Sequence, residues 1–434
     1  MLDALGFSEV MDLFADLPAE VRLGRDLNLP LGMPELELDR HVRSLADKNR
    51  HLGQMPSFLG AGAYDRFIPA AVSEILRRTE FYTSYTPYQP EVSQGTLQAI
   101  WEFQSLVAAL YEMDVAQASL YDGATAAAEA MMVAVAETGR QGVVVARSVD
   151  PQVRSVIRTY AQGRSLQITE LALDEDRCDL LELDRLLTDQ VAVLIVQQPS
   201  FLGAIEPVAE MVESAHRVGA LAVVIADPIA HAWLKPPGAY GADLAVGEGQ
   251  GLGVAPSFGG PYVGLMAARQ GLVRRLPGRI VGRTVDVDEK PGFVLTLQTR
   301  EQHIRRQRAT SNICTNQGLI ALAATVYMSL VGPEGLRQVA LLSHEGAEDL
   351  KGRLLAIPGV TALGPAKTFY EFAIRLPKDA REVNRRLLAD GFIGGYALAA
   401  DYPELGAGSW LLAVTEKRTK DEIAAFAKAV ADAL

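Results

Sequence analysis

Cysteine is scarce, with two residues, Cys178 and Cys314, in a chain of 434. Two thiols build neither a disulfide framework nor a four-cysteine zinc site, so a reducing compartment is expected. Histidine numbers only six: His41, His51, His216, His231, His303 and His344. No two stand at zinc-ligand spacing with a third nearby, and no metal site is expected. No serine lies in a nucleophile-elbow context. Positive charge is in deficit, with 41 Lys and Arg against 53 Asp and Glu, a net charge of −12. That balance argues against nucleic acid or an anionic membrane as partner. Long apolar runs are missing too. Residues 318–332 (GLIALAATVYMSLVG) are too few to span a bilayer. The opening MLDALGFSEVMDLF carries acids where a signal peptide needs bases, and reads as a short amphipathic helix. A cytoplasmic protein is the expectation.

What is present is ordinary for a soluble globular chain: 49% apolar and 22% charged residues. Breakers at Pro18, Pro30, Gly32, Pro34 and Pro56 mark residues 1–65 as a helical and extended arm. A helix is predicted over 68–79. Residues 81–94 then form an irregular stretch rich in tyrosine and proline, and a long aromatic loop points to function. From Gly95 the pattern alternates. Helices are predicted over 96–113, 123–138, 151–162 and 207–218. Strands are predicted over 142–146, 166–173, 191–196, 220–226 and 243–246. Continuous Val/Ile/Leu runs between helices mean parallel strands covered on both faces. Residues 66–330 are therefore expected to form a large, mostly parallel α/β domain. Residues 331–434 are expected to form a small C-terminal α+β domain. Its elements are helices over 334–356 and 379–389, strands over 368–376 and 409–415, and a last helix opened by a Thr419–Glu422 capping box.

Several positions can carry chemistry. Asp227 ends a buried parallel strand, on the sheet edge where α/β folds place ligands. A carboxylate there can pair with a cationic ring nitrogen, although Asp-Pro also suits a plain turn. His231, four residues on, could stack on a bound ring or sit in a loop. Asp122 and Gly123 precede a helix whose N-terminus could hold a phosphate, but Asp122 is itself a good N-cap and would repel one. The glycines of GEGQGLGVAPSFGGPYVG (247–264) fail as a dinucleotide fingerprint, since no helix follows; close backbone approach explains them better. Residues 300–316 read as a basic helix entering a polar loop. There Thr310, Ser311 and Asn312 could donate to an anion, or the run could be a solvated basic face.

Five strings carry a resemblance: MPSFLGAGAYDRFIP, YTSYTPYQPEVSQGTLQAIWEFQ, SLYDGATAAAEAMM, SFGGPYVG and LTLQTREQHIRRQRATSNICTNQ. They resemble the P-protein of the glycine cleavage system, glycine decarboxylase, over the whole chain. The length is similar to that of subunit 1 (alpha) of the two-subunit form. The resemblance implies the fold of type I pyridoxal phosphate (PLP) enzymes, the aspartate aminotransferase type. Such an enzyme needs a lysine beside the cofactor. Here Gly251 stands at the lysine position. The lysines between Asp227 and Ser311 are Lys235, before two prolines, and Lys290, in an acidic turn. A glycine supplies no amine, so the isolated chain is expected to be inactive.

The resemblance therefore implies an α2β2 assembly with a homologous, lysine-bearing beta subunit that holds the PLP. Glycine is then decarboxylated and its aminomethyl group passed to the lipoyl group of H-protein. It also implies residues facing the partner's cofactor: Tyr85, Tyr88, Gln89 and Glu91 first, then Ser257, Phe258, Gly259 and Gly260, and Thr310, Ser311 and Asn312. Asp122, Gly123, Asp227 and His231 would be a degenerate pocket. The alternatives are a self-sufficient PLP enzyme using Lys235 or Lys290, and a purely structural scaffold subunit.

Overall fold

Buried Val, Ile, Leu and Ala runs form the centre of the fold. A computed structural model describes residues 1–83 and 86–434. These divide into two units, 1–51 and 52–434. In the first unit no residue is buried. The amphipathic helix expected over the opening residues is instead a four-residue helix, Leu2–Leu5, and a 3-10 turn, Val10–Phe14. Gly6 breaks it at a φ of 75°, a left-handed conformation that suits glycine. A longer helix, Glu35–Ala46, follows.

The second unit begins earlier than the predicted boundary at residue 65, because residues 52–66 pack into its core. The Phe58 N–H donates to the Ile393 carbonyl (2.8 Å), and the Phe58 carbonyl accepts from Ala413 N–H (2.9 Å). The Phe58 ring stacks on Phe426 at 3.8 Å. This segment is thus an edge of the small sheet described below.

Seven strands build the main sheet: β1 (Val115–Ala116), β2 (Gly142–Ala146), β3 (Gln167–Leu171), β4 (Val191–Gln198), β5 (Leu221–Ala226), β6 (Leu244–Glu248) and β7 (Gly264–Ala268). Their order is β1-β7-β6-β5-β4-β2-β3. Strands β3, β2, β4, β5 and β6 run parallel, and β7 pairs antiparallel with both β6 and β1. Helices α1 (Gln94–Tyr111), α2 (Gly123–Thr138), α3 (Pro151–Gln162) and α4 (Val208–Arg217) accompany it. Helix α2 starts where the sequence says it should. Asp122 accepts from Thr125 N–H at 2.7 Å, and the Thr125 hydroxyl accepts from Asp122 N–H. A hairpin, β8 (Ile280–Val285) with β9 (Pro291–Thr296), follows the sheet, its base buried at Ile280, Val281 and Leu295 and its tip exposed.

Helix α5, Gly318–Leu355, begins sixteen residues before the helix predicted from 334. It is long and apolar enough to cross a membrane by composition alone. Here Ala321, Leu322, Ala323, Ala324, Tyr327 and Met328 are buried in the core. Gly332 kinks it at φ 62° and ψ −179°, followed by Pro333. The second, four-stranded antiparallel sheet comprises β10 (Thr361–Ala362), β11 (Glu371–Arg375), β12 (Tyr396–Ala397) and β13 (Ser409–Ala413). Helices α6 (Ala380–Ala389) and α7 (Lys420–Ala433) complete it. The Thr419–Glu422 capping box forms as read from the sequence.

One predicted helix is absent. Residues 298–308 are short 3-10 turns around a single helical turn, Gln302–Arg305. Leu297 (φ 53°) and Arg306 (φ 52°) leave the helical region. The Arg300 guanidinium donates to the Leu276 carbonyl, anchoring the segment to another loop instead of to its own helix.

Candidate functional site

The carboxyl ends of β5 and β6 define the site. Asp227 follows β5. Its Oδ1 accepts from Ala230 N–H (2.6 Å), and its Oδ2 accepts from the Tyr370 hydroxyl (2.6 Å). Tyr370 is delivered from the small sheet, one residue before β11. His231 is buried, its Nδ1 2.9 Å from the Asp227 carbonyl, and edge-on to Tyr111. Burial lowers the His231 pKa, so the neutral ring is favoured.

Gly251 lies past β6. A Cβ built there would meet Cδ and Nε of Arg66 at 3.3 Å each. Arg66 is buried, with its guanidinium 4.7 Å from the Tyr370 ring centroid. Its Nη1 donates to Glu416 Oε2 at 2.8 Å and to Ser343 Oγ at 3.2 Å. Beside it the Tyr64 hydroxyl donates to Glu371 Oε2 (2.7 Å) and Ala61 N–H donates to Glu371 Oε1 (2.8 Å). Burial pushes the Glu371 carboxyl up to about 7.

The start of α2 is also filled. Gly123 N–H donates to Glu248 Oε2 at 2.9 Å, while Asp122 caps Thr125. Glu248 Oε1 accepts from Gln250 N–H (3.0 Å) and Val263 N–H (3.2 Å). Burial pushes the Glu248 carboxyl up to about 7. A phosphate at this helix start would meet two carboxylates where it needs free donors. The residues present do not fit PLP: the amine is missing, the lysine's room holds Arg66, and the helix start holds Glu248. Of the expected degenerate pocket, Asp227 and His231 meet directly, and Asp122 and Gly123 meet Glu248. The self-sufficient alternative gains nothing: Lys235 is exposed, and Lys290 pairs with Asp288 at the tip of the β8–β9 hairpin.

The expected partner-facing residues fall in separate places. Tyr85 lies outside the described residues. Tyr88 is half-exposed; its hydroxyl accepts from Arg279 Nη2 (2.9 Å), and its ring lies edge-on to His303 at 5.8 Å. Gln89 and Glu91 are exposed beside it. Phe81, Thr83, Thr86 and Pro87 wall a cavity of about 130 Å³ with Thr315 and Asn316, just before α5. Ser257, Phe258, Gly259 and Gly260 form an exposed turn closed by Gly260 N–H to the Ser257 carbonyl (2.8 Å), with Phe258 fully exposed. Thr310, Ser311 and Asn312 line a different cavity, with Tyr121, Tyr160, Arg164 and Glu129. Burial pushes the Glu129 carboxyl up to about 7, against a Ser311 hydrogen bond and the Arg164 charge.

The family model described as the glycine cleavage system P-protein matches residues 1–430. The chain belongs to the P-protein family. A relative in Moorella thermoacetica, named a probable glycine dehydrogenase (decarboxylating) subunit 1, is 53% identical over 99% of this chain and 96% of its own length. One of the same name in Geobacillus kaustophilus is 49% identical over 100% of this chain and 96% of its own length. A solved glycine decarboxylase (P-protein), in inhibitor-bound form, superposes with a TM-score of 0.92 at 44% identity, covering 100% of this chain and 97% of that one. A Burkholderia pseudomallei sphingosine-1-phosphate lyase, at 16% identity and a TM-score of 0.69 over 96% and 94% of the two chains, shares the fold. That fold is PLP-dependent type I, as the sequence resemblance implied.

Arg66, Glu248, Tyr370 and Arg279 are the site residues that sequence reading missed. Arg66 lay inside a quoted string, and Glu248 three residues from Gly251. The available signal was charge: an arginine and a glutamate amid glycine-rich, apolar surroundings.

Proposed function

We propose that this chain is the alpha subunit of a two-subunit glycine decarboxylase, acting with a lysine-bearing beta subunit that holds PLP. The single observation that carries this is Gly251, with no amine, at the position where the resemblance places the lysine, in a fold that otherwise retains the Asp227 strand end. When bound, PLP supplies an electron sink for the loss of CO2 from glycine. This chain's share is to complete the partner's pocket. Tyr88, held by Arg279, can orient a substrate carboxylate or close the site against water. Tyr82, Tyr88 and Val92 present exposed apolar side chains, and Phe258, elsewhere on the chain, is fully exposed, as surfaces to be covered by a partner are. In this reading the aminomethyl group passes to lipoylated H-protein, the assembly is an α2β2 heterotetramer, and the complex is cytoplasmic.

The test is glycine–CO2 exchange with the isolated chain, the isolated lysine-bearing homologue, and the two co-expressed. Exchange only in the co-expressed sample is expected. Exchange by this chain alone would overturn the reading, as would full exchange by the homologue alone.

A further inference from the structure

Three features of the pocket belong together. A side chain at position 251 would crowd Arg66, whose Cδ and Nε stand 3.3 Å from where its Cβ would be. The anion seat at the start of α2 is taken by Glu248. The Asp227 carboxylate is taken by Tyr370 and Ala230. We propose that the chain's own side chains close this pocket, with Arg66 and Glu248 standing in for the cation and the anion that a PLP site would contain, so that it admits neither PLP nor inorganic phosphate.

The contacts say why the closure is firm. The Arg66 and Glu416 side chains are 2% and 8% exposed, and breaking such a pair leaves a buried charge alone. Arg66 comes from the segment after residue 52 and Glu416 from beyond β13, so the pair also ties the two edges of the pocket. Neighbouring Asp65 repeats the tie, accepting from Lys417 Nζ and Arg418 Nη2. Glu248 holds three backbone N–H groups, at residues 123, 250 and 263. An incoming phosphate would have to displace it and lie beside Asp122, a like charge in a buried site. The closure is independent of the two-subunit reading, which needs only the missing amine.

The experiment compares three forms of the full-length chain: native, Gly251→Lys, and Gly251→Lys combined with Arg66→Ala and Glu248→Ser. Each is incubated with PLP, treated with borohydride, desalted and mapped by mass spectrometry. In a productive form the lysine amine condenses with the PLP aldehyde, releasing water, and borohydride reduces the resulting double bond. A pyridoxyl group at position 251 in the triple variant alone is expected. The group in Gly251→Lys at the same yield would overturn the proposal, because glycine alone would then be the barrier. A folded triple variant without it would also overturn the proposal. Equilibrium dialysis of the native chain against PLP, and separately against inorganic phosphate, reads the closure without any variant. No retention is expected; stoichiometric retention lost in Asp227→Asn for PLP, or in Gly123→Ala for phosphate, would overturn it. Failure of exchange activity on co-expression would count against the two-subunit reading and leave these results untouched.

Discussion

Arg66 Cδ and Nε lie 3.3 Å from where a Cβ on Gly251 would stand, although the two residues are 185 positions apart. A long cation from the N-terminal side of the fold has come to occupy the room that a lysine at 251 would use. The pocket is then held by a buried ion pair and not by a cofactor.

Removing one partner of that pair is expected to be costly. Arg66→Ala should lower unfolding free energy by about 3–5 kcal/mol, the usual cost of stranding a buried charge. Urea denaturation measures it. The double variant Arg66→Met, Glu416→Leu should recover most of the loss, because it leaves no buried charge, only the exposed Phe67 N–H that Glu416 had accepted from. Equal losses in both variants would show that packing, not charge, holds the site.

Stability should fall as pH rises from about 4.5 to about 7. Glu129, Glu248 and Glu371 are each pushed from 4.5 up to about 7 by burial. In that window the folded chain binds more protons than the unfolded chain, so unfolding free energy decreases with pH. The contribution is fully present below 4.5 and is lost as pH passes 7. Glu371→Gln should reduce the slope measured by denaturation at several pH values. An unchanged slope would contradict the assignment of Glu371 to it.

Gly332→Ala should destabilise the fold by about 1–3 kcal/mol, since φ 62° with ψ −179° is glycine's region. Beyond its chain neighbours and the local helix backbone, no atom lies within 4 Å of the added Cβ, so the cost is conformational rather than a clash with packed neighbours. Thermal unfolding checks it. A neutral result would mean that the helix straightens without penalty.

Tyr88→Phe should lower kcat/KM for exchange in the co-expressed complex. The hydrogen bond from Arg279 is charge-assisted, worth about 1.5–3 kcal/mol. If all of it supports the transition state, the fall is roughly ten- to a hundredfold. Assembly, read by size exclusion, should be unchanged. A scaffold role would leave both measurements at native values.

Most of the fold was legible because its signals are local. The Asp122 and Thr419 caps and the β2, β4 and β5 runs are all read within a few residues, whereas the glycine at 251 was legible only through the family resemblance. The closure of the pocket was not legible, because Arg66, Glu248 and Tyr370 meet only through the fold. The basic segment misled for the same reason: Arg300 serves a carbonyl of another loop, while Leu297 and Arg306 turn the backbone out of the helix. Among the described residues, the exposed turn at 257–260 and the polar segment at 310–312 line different surfaces of the chain. Bringing them to one site would be work for a second subunit.

The central claim is that the cofactor of the active complex is carried by the other subunit. Borohydride treatment of the co-expressed complex, followed by peptide mapping of both chains, tests it most directly. One pyridoxyl-lysine is expected, on the partner chain, and none on this chain. A pyridoxyl group on any lysine of this chain, Lys235 and Lys290 included, would contradict it.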